Sequence, residues 1–206
     1  MYVRRRSEIS QGTEPPPQLE DFFMFKQKRF TLDVHTLVIF AMLIAMEIVL
    51  SRFLALNTHI TKIGFNFVPI VIAAMLYGPV GGAIVGSFGD YLGATLFPIG
   101  QYFPGFTLTA LLTGAIFGLF LQNASTSRWF TIRAAISVGI NNLILSLFLN
   151  TYWLYFLYLG TDKAAPYWNI LVPRIVQCAI LIPVQLAVIL AIVPALRYFK
   201  QQLRIA

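Results

Sequence analysis

Ionisable side chains are scarce in the apolar part of this chain, so each of them is informative. Only nine residues between Leu37 and Val193 are Asp, Glu, Lys or Arg. A charged side chain at the centre of a helix in lipid costs about 2.5–3.5 kcal/mol on insertion scales. We therefore expect each of the nine to lie in a loop, at a helix end or in a binding site. They are Glu47, Arg52, Lys62, Asp90, Arg128, Arg133, Asp162, Lys163 and Arg174.

Two of the nine are carboxylates inside long apolar runs, and such residues are functional candidates by default. Asp90 follows the start of its run at Val80 and stands among glycines, which allow helices to approach closely. The alternative for Asp90 is a structural hydrogen bond to a neighbouring helix. Glu47 could face the interior of a helical bundle, but the sequence assigns no role to it.

Polar side chains form stripes on the last two apolar runs. At 100° per residue, four side chains of the fifth run fall within about 80° of one another, and Asn141 lies off that stripe. The four are Asn142, Ser146, Asn150 and Trp153. On the sixth run, Arg174, Gln177 and Gln185 share a face by the same arithmetic. Two inward polar faces at matching depth predict one pocket that opens outward.

The segment before the fourth run adds aromatic side chains between Pro and Gly residues. Tyr102 and Phe103 stand there, in a shaped loop or lid over the pocket or in an interfacial aromatic belt. The predicted pocket then combines cations, an acid, amides and rings. A planar, aromatic, anionic small molecule would suit that combination, because stacking and charge-assisted hydrogen bonds would both contribute to affinity.

The elements that must position these residues are transmembrane helices. The composition is 58% hydrophobic and 11% charged, and a bilayer core of about 30 Å needs about 20 helical residues. Six apolar runs are present, at residues 37–56, 65–77, 80–97, 105–121, 132–159 and 168–199. We predict an all-α integral membrane protein with six transmembrane helices, in which residues 31–206 form one domain. The Gly78-Pro79 turn requires the second and third helices to form a hairpin. We expect residues 1–30 to form a polar, basic leader that is disordered or interfacial.

The distribution of basic residues predicts the orientation. With both termini in the cytoplasm, the inner segments carry 11 of the 15 Lys and Arg residues and the outer segments carry 4. Attraction to anionic lipid at the inner surface accounts for the net charge of +7, so nucleic acid is not an expected partner.

Several chemistries lack their motifs. Cys178 is the only cysteine, and neither a His-Glu-x-x-His nor a Gly-x-Ser-x-Gly sequence occurs, so we expect no metal site, no cofactor and no enzymatic activity. Without a Gly-x4-Gly-Lys-Ser/Thr loop, active transport would need a partner that supplies the energy.

Several segments resemble the substrate-binding (S) component of energy-coupling factor (ECF) vitamin transporters. Those shared across S components are Gly-Pro at 78–79 and Gly-Asp-Tyr-Leu-Gly at 89–93. Those similar to the folate-specific, FolT-like branch are Pro-Gly-Phe-Thr at 104–107, Asn-Thr-Tyr-Trp-Leu at 150–154, Pro-Arg-x-x-Gln at 173–177 and Pro-x-Gln at 183–185. The resemblance covers about residues 37–200.

The resemblance implies a function that spacing alone does not give. It implies a multi-pass subunit of a bacterial cell membrane that binds folate with high affinity at its outer side. Inward delivery would then use a shared transmembrane coupling subunit and two cytoplasmic ABC-type ATPases. The Ala-x-x-x-Ala pattern of Ala41 and Ala45 would contact the coupling subunit, with ordinary packing as the alternative. Arg52 lies seven residues after Ala45, so a straight helix puts both on one stripe and would keep Arg52 away from the pocket.

For a folate ligand, the candidate residues divide by chemistry. Arg174, Arg52 and Lys62 would meet the carboxylates of the glutamate tail. Tyr102, Phe103 and Trp153 would pack on the pterin or aminobenzoyl ring. Asp90, Asn66, Asn150 and Gln177 would meet the edge of the pterin. Two alternatives stay open: an S component for another vitamin, such as pantothenate or riboflavin, and a membrane assembly protein without transport function.

Overall fold

The computed structural model describes residues 33–57, 62–122, 129–159 and 166–202, and these ranges are almost entirely helical. The elements in chain order are α1 (Val34–Arg52), β1 (Leu56–Asn57), β2 (Lys62–Ile63), α2 (Phe67–Leu96), α3 (Pro104–Leu121), α4 (Phe130–Ile140), a π-helix (Asn141–Leu149), α5 (Asn150–Tyr158) and α6 (Tyr167–Gln202). The two strands are a short antiparallel pair in the connection after α1. The predicted all-α membrane fold is confirmed, and the leader over residues 1–30 lies outside the described ranges.

Five helical segments in these ranges are long and apolar enough to cross a membrane, because α4, the π-helix and α5 follow one another without interruption. In lipid a helix satisfies its own backbone hydrogen bonds, which is why apolar runs of this length adopt it. Four of the six predicted runs correspond to α1, α3, the α4–α5 segment and α6. The other two are the arms of α2. That all six segments cross the membrane stays a prediction.

Helix α2 folds back on itself at Gly78. This residue has φ 76° and ψ −162°, a conformation that only glycine adopts readily, and Pro79 follows it without an N–H group. A Cβ atom at Gly86 would lie 3.6 Å from Cδ1 of Ile70, although 16 residues of straight helix would span about 24 Å. The two arms are therefore antiparallel, and the hairpin that the Gly-Pro pair predicts is confirmed.

Glycines let the second arm of α2 touch α3 backbone to backbone. A Cβ atom at Gly86 would lie 2.6 Å from the carbonyl oxygen of Ala110, closer than real Cβ contacts. At Gly82 and Gly114 each residue faces the carbonyl group of the other even more closely, and Gly118 lies equally close to the backbone N and Cα atoms of Pro79. Small residues at such an interface allow close helix packing where no hydrophobic effect drives association.

The main apolar core lies at one end of the bundle. Fully buried side chains of α2, α3, α4 and α6 meet there, among them Val71, Phe117, Leu121, Val138 and Ile189. A smaller cluster joins α1 to α2 through Phe40, Leu43, Ala73 and Val85. The opposite end of the bundle is open, and the cavity described below occupies it.

Two local features differ from the sequence-based expectation. The first helix ends at Arg52 rather than at Leu56, because the chain turns there into the short strand pair, and hydropathy does not distinguish an apolar strand from a helix end. Residues Asn141–Leu149 form a π-helix, which the 100° spacing used for the polar stripe does not describe.

The close contact between α2 and α3 gives a stability prediction. Substitution Gly114→Ala places a methyl group against the Gly82 carbonyl and must separate the two helices. We expect the free energy of unfolding to fall by about 1–3 kcal/mol, the usual cost of overpacking. Thermal unfolding in detergent measures it. The control is Gly139→Ala, a helical glycine with no atom within 4 Å of the added methyl group, which should be neutral or slightly stabilising. Equal effects of the two substitutions would contradict the packing argument.

Candidate binding cavity

A cavity of about 810 Å³ opens between the helices, within the size range of small-molecule sites. Eight of the ten side chains that the sequence singles out for a substrate line it, and they come from four of the helical segments and the two connections next to α2. The eight are Arg52, Asn66, Asp90, Tyr102, Phe103, Asn150, Arg174 and Gln177. Trp153 lies behind this lining. Lys62 pairs with Asn57 in the short strands, and only its backbone is described.

Four of the nine charges in the apolar region meet at this cavity. Glu47, Arg52, Asp90 and Arg174 all line it, so two carboxylates face two guanidinium groups. Arg52 Nη2 lies 4.0 Å from Asp90 Oδ1. Arg133 lies outside the lining, and Arg128, Asp162 and Lys163 lie outside the described residues. The cavity keeps these four charged side chains out of lipid, where they would be costly. Their placement agrees with the expectation that charged residues within the spans belong to a site.

Asp90 is held by the helix that follows it in the chain. The hydroxyl of Thr107 donates to Asp90 Oδ2 at 2.8 Å, and the Tyr102 hydroxyl lies 3.2 Å from the same Thr107 oxygen. The Tyr102 ring also packs edge-on against Tyr91, with 5.9 Å between centroids. The carboxylate therefore ties the exposed 97–103 connection to the second arm of α2. Asp90 thus accepts a structural hydrogen bond from a neighbouring helix, which is the alternative to a ligand-binding role that the sequence left open.

Helix α1 contributes two charged residues because α2 has glycines opposite them. The carboxylate of Glu47 occupies the space that a side chain at Gly89 would need, and Arg52 Nε lies 3.0 Å from a Cβ position at Gly93. Glu47 is 2% exposed and lines the cavity, a position that sequence reasoning left without a role. A sequence signal for this position of Glu47 does exist. Gly89 and Gly93 lie one turn apart on α2, and such a pair leaves room for large side chains of a neighbouring helix.

The expectation that a straight first helix would keep Arg52 out of the pocket is wrong. Helix α1 continues to Arg52, and Ala45 is exposed on it, yet Arg52 lines the cavity with a side chain only 12% exposed. The Arg52 side chain is long enough to pass Gly93 and reach Asp90. Ala41 and Ala45 both lie on the exposed face of α1, and Glu47 lies on its buried face.

Arg174 is the most deeply buried cation among the described lining residues, at 9% exposure. Its Nη1 donates to the carbonyl oxygen of Ser146 at 3.0 Å. Ser146 belongs to the π-helix, where i→i+5 hydrogen bonding replaces the i→i+4 pattern. A buried guanidinium group presents several donors in a fixed plane, which suits the recognition of a carboxylate.

An aromatic cluster covers one side of the cavity entrance. Phe103 lies 5.6 Å from Trp153 and 6.0 Å from Phe156, measured between ring centroids. Gly105 makes room for this contact, since a Cβ atom there would lie 2.6 Å from both rings of the Phe103–Trp153 pair. Trp153 therefore acts on the cavity through Phe103 and does not form part of its wall. The spacing of the polar stripe predicts, by contrast, that Trp153 lines the pocket directly.

Amide side chains line the inner part of the cavity. Asn142 Nδ2 donates to Gln185 Oε1 at 2.7 Å and to the carbonyl oxygen of Val138 at 2.9 Å. Asn141, expected off the polar stripe, also lines the cavity. The reason is the π-helix, because its i→i+5 pattern brings Asn141 and Ser146 into register. Thr109 and Thr113 of α3 line it as well, and no spacing argument identified them.

Comparison with known proteins gives one consistent result. Residues 35–193 match the protein family described as "ECF transporter, substrate-specific component". A protein of Clostridium novyi (strain NT) named "Folate transporter FolT" is 40% identical over 156 residues, which cover 76% of this chain and 86% of that protein. A protein of the same name from Leuconostoc mesenteroides subsp. mesenteroides is 32% identical over 158 residues, covering 76% and 83%.

A solved structure shares this fold. The structure described as "Crystal structure of FolT bound with folic acid" aligns with a TM-score of 0.67 and 32% sequence identity. The alignment covers 75% of this chain and 89% of that chain. At 32% identity the two proteins are similar in sequence as well as in fold.

The Asp90–Thr107 contact can be tested by itself. Substitution Thr107→Val keeps the side-chain shape and removes the hydroxyl that donates to the carboxylate. We expect the free energy of unfolding to fall by about 1–2 kcal/mol, because a partly buried carboxylate loses a donor. Denaturation monitored by tryptophan fluorescence measures it. Thr107→Ser keeps the hydroxyl and serves as the control. If serine and valine destabilise equally, the hydrogen bond contributes nothing.

Proposed function

Because the chain belongs to the family of ECF transporter substrate-specific components, we propose that it binds folate in the 810 Å³ cavity and delivers it inward as part of an ATP-driven importer. The observation that carries the proposal is the convergence of buried cations, amides and rings on that one cavity. Two relatives named as folate transporters and a solved relative bound with folic acid support folate as the ligand.

The chemistry of folate fits the groups that line the cavity. Arg174 and Arg52 provide cations for the two carboxylates of the glutamate tail, and Lys62 is a third candidate. Phe103 and Tyr102 provide faces for the flat rings, and Trp153 supports Phe103 from behind. Four polar side chains, Asp90, Asn66, Asn150 and Gln177, offer hydrogen bonds along the length of the ligand. Asn150 Oδ1 is buried without a hydrogen-bond partner among the described residues, so it is available to a ligand donor.

The cavity faces outward in this proposal. The basic residues concentrate in segments that would then lie in the cytoplasm, together with both termini, as the positive-inside rule requires. The relatives are bacterial proteins, which supports a bacterial cell membrane as the location. Helices of this length and hydropathy support a multi-pass arrangement in the lipid bilayer.

Transport requires partners. A transmembrane coupling subunit would bind the exposed face of α1 that carries Ala41 and Ala45, where small side chains allow another helix to approach. Two cytoplasmic ABC-type ATPases would supply the energy, and this chain would not be an enzyme. The same helix presents Glu47 and Arg52 to the cavity, so α1 would connect the substrate site to the coupling surface.

Calorimetry on the purified protein tests the ligand. We expect folate to bind with a dissociation constant well below micromolar, and Arg174→Ala to weaken binding about 30-fold or more, because a buried cationic partner of the ligand is lost. Arg174→Lys should give an intermediate loss, since lysine keeps the charge without the planar donor set.

The matched control is Arg133→Ala, which removes an arginine outside the cavity and should leave folate binding unchanged. A folded protein that does not bind folate at micromolar concentration would overturn the proposal. Competition by pantothenate or riboflavin would identify another vitamin as the substrate. A protein that binds none of them, and that Arg174→Ala merely destabilises, would indicate an assembly function.

The coupling surface gives a separate prediction. Substitution Ala45→Phe adds a bulky ring to the exposed face of α1, and we expect it to abolish co-purification with the coupling subunit and the ATPases while folate still binds. Ala187→Phe makes the same change at an exposed alanine of α6 and should leave both properties intact. Retained assembly in the Ala45 variant would show that this face is not the coupling surface.

A further inference from the structure

Every fourth residue along the α4–α5 segment lines the cavity, from Asn142 to Tyr158. We call these residues the cavity-facing series: Asn142, Ser146, Asn150, Leu154 and Tyr158. In a uniform α-helix, which advances about 100° per residue, Tyr158 would point about 160° away from Asn142. A period of four residues therefore requires an underwound helix. The π-helix over Asn141–Leu149 supplies it, because its hydrogen bonds run from i to i+5.

The π-helix has no internal cause in its own sequence. The nine residues Asn141–Leu149 include neither glycine nor proline, which are common causes of helix distortion. Runs of i→i+5 hydrogen bonds are rare, and they occur mostly where a protein has a functional use for them. The register must therefore be selected by contacts that other elements make with this segment.

Helix α6 makes three such contacts through one stripe of side chains. Arg174 Nη1 donates to the carbonyl oxygen of Ser146 at 3.0 Å. One turn further on, Cys178 Sγ donates to the carbonyl oxygen of Asn142 at 3.4 Å. Gln185 Oε1 then accepts from Asn142 Nδ2 at 2.7 Å. These three residues, which we call the α6 clamp, bind the first and second members of the cavity-facing series.

Cys178 differs from the other two members of the α6 clamp in its position. Arg174 and Gln185 line the cavity, so each of them is also accessible to a ligand. Cys178 is 3% exposed and lies outside the cavity lining. Its hydrogen bond to the Asn142 carbonyl therefore acts on the π-helix and not on a bound molecule.

We infer that the α6 clamp imposes the π-helical register on the α4–α5 segment, and that Cys178 is a positioning residue of the binding cavity. Loss of the register shifts the following turns by one residue, which rotates them by about 100°. Asn150 and Tyr158 then turn away from the cavity wall. This inference deepens the proposed function and rests on it where folate serves as the probe.

The thiol group reports the contact directly, because Cys178 is the only cysteine of the chain. Its S–H stretching band lies in a region of the infrared spectrum where other protein groups do not absorb. In the ligand-free protein we expect one band, at the lowered frequency of a hydrogen-bonded thiol, and its absence from Cys178→Ala confirms the assignment. A band at the frequency of a free thiol would overturn the inference without any reference to folate.

Two substitutions of similar size separate the hydrogen bond from the volume of the sulfur atom. Cys178→Ala and Cys178→Ser leave similar space, but only serine keeps a donor. We expect alanine to weaken folate binding about fivefold or more, and serine to retain most of the affinity, because a single hydrogen bond holds the register. The control is Val193→Ala, which removes buried volume from α6 in the main core and should leave the affinity unchanged.

A double-mutant cycle distinguishes positioning from general destabilisation. In the natural protein we expect Asn150→Ala to weaken folate binding about tenfold, the effect of one lost hydrogen bond. In the Cys178→Ala background the same substitution should cost less than about twofold, because Asn150 no longer faces the ligand. In the Val193→Ala background the full effect should remain, since independent sites are additive.

The possible outcomes separate this inference from the function it rests on. A folded protein that does not bind folate overturns the proposed function, whereas the S–H band tests the clamp without a ligand. If alanine and serine at Cys178 weaken folate binding equally and the effect of Asn150→Ala is additive, Cys178 only fills space and the inference is overturned. Thermal unfolding shows which variants fold. Cys178→Val, which fills the space without a donor, replaces an unfolded alanine variant and should show the same loss of affinity.

Discussion

The cost of placing charge in hydrocarbon organises this molecule. Helix α1 carries Glu47 and Arg52, the second arm of α2 carries Asp90, and α6 carries Arg174. None of these residues could face lipid without a large penalty, and all four line the same cavity. The fold that keeps these charged side chains away from lipid is therefore the same fold that brings them together at the cavity.

Glycine makes that arrangement possible. The positive φ angle of Gly78 folds α2 into two arms, and Gly82 and Gly114 let the second arm and α3 meet at their backbones. On another face of the same arm, Gly89 and Gly93 leave room for Glu47 and Arg52. One helix thus uses glycine for three purposes: to turn, to pack, and to admit charged side chains from a neighbour. Without the last of these, the α1 charges would have no route into the cavity.

Much of the fold was predictable because hydropathy and the Gly-Pro turn report directly on helices in lipid. The polar side chains of the cavity were also largely identifiable, since a polar residue in an apolar helix is conspicuous. The features that could not be predicted depend on three-dimensional geometry that the spacing of residues along the sequence does not report. A constant 100° per residue misplaced Asn141, because the π-helix changes the register, and it separated Arg52 from the cavity, because it ignores the reach of a long side chain past Gly93. Trp153 was expected in the wall but packs behind Phe103, which depends on the absent side chain of Gly105.

The apolar core beyond Asn142 and Gln185 has a consequence for the shape of the cavity. Val138, Ile189, Phe117 and Leu121 fill that end of the bundle with side chains that are at most 1% exposed. Side chains packed this closely leave no space for a continuous file of water among the described residues. The cavity is therefore closed on that side, so a small molecule that enters it has to leave by the same opening unless the helices move.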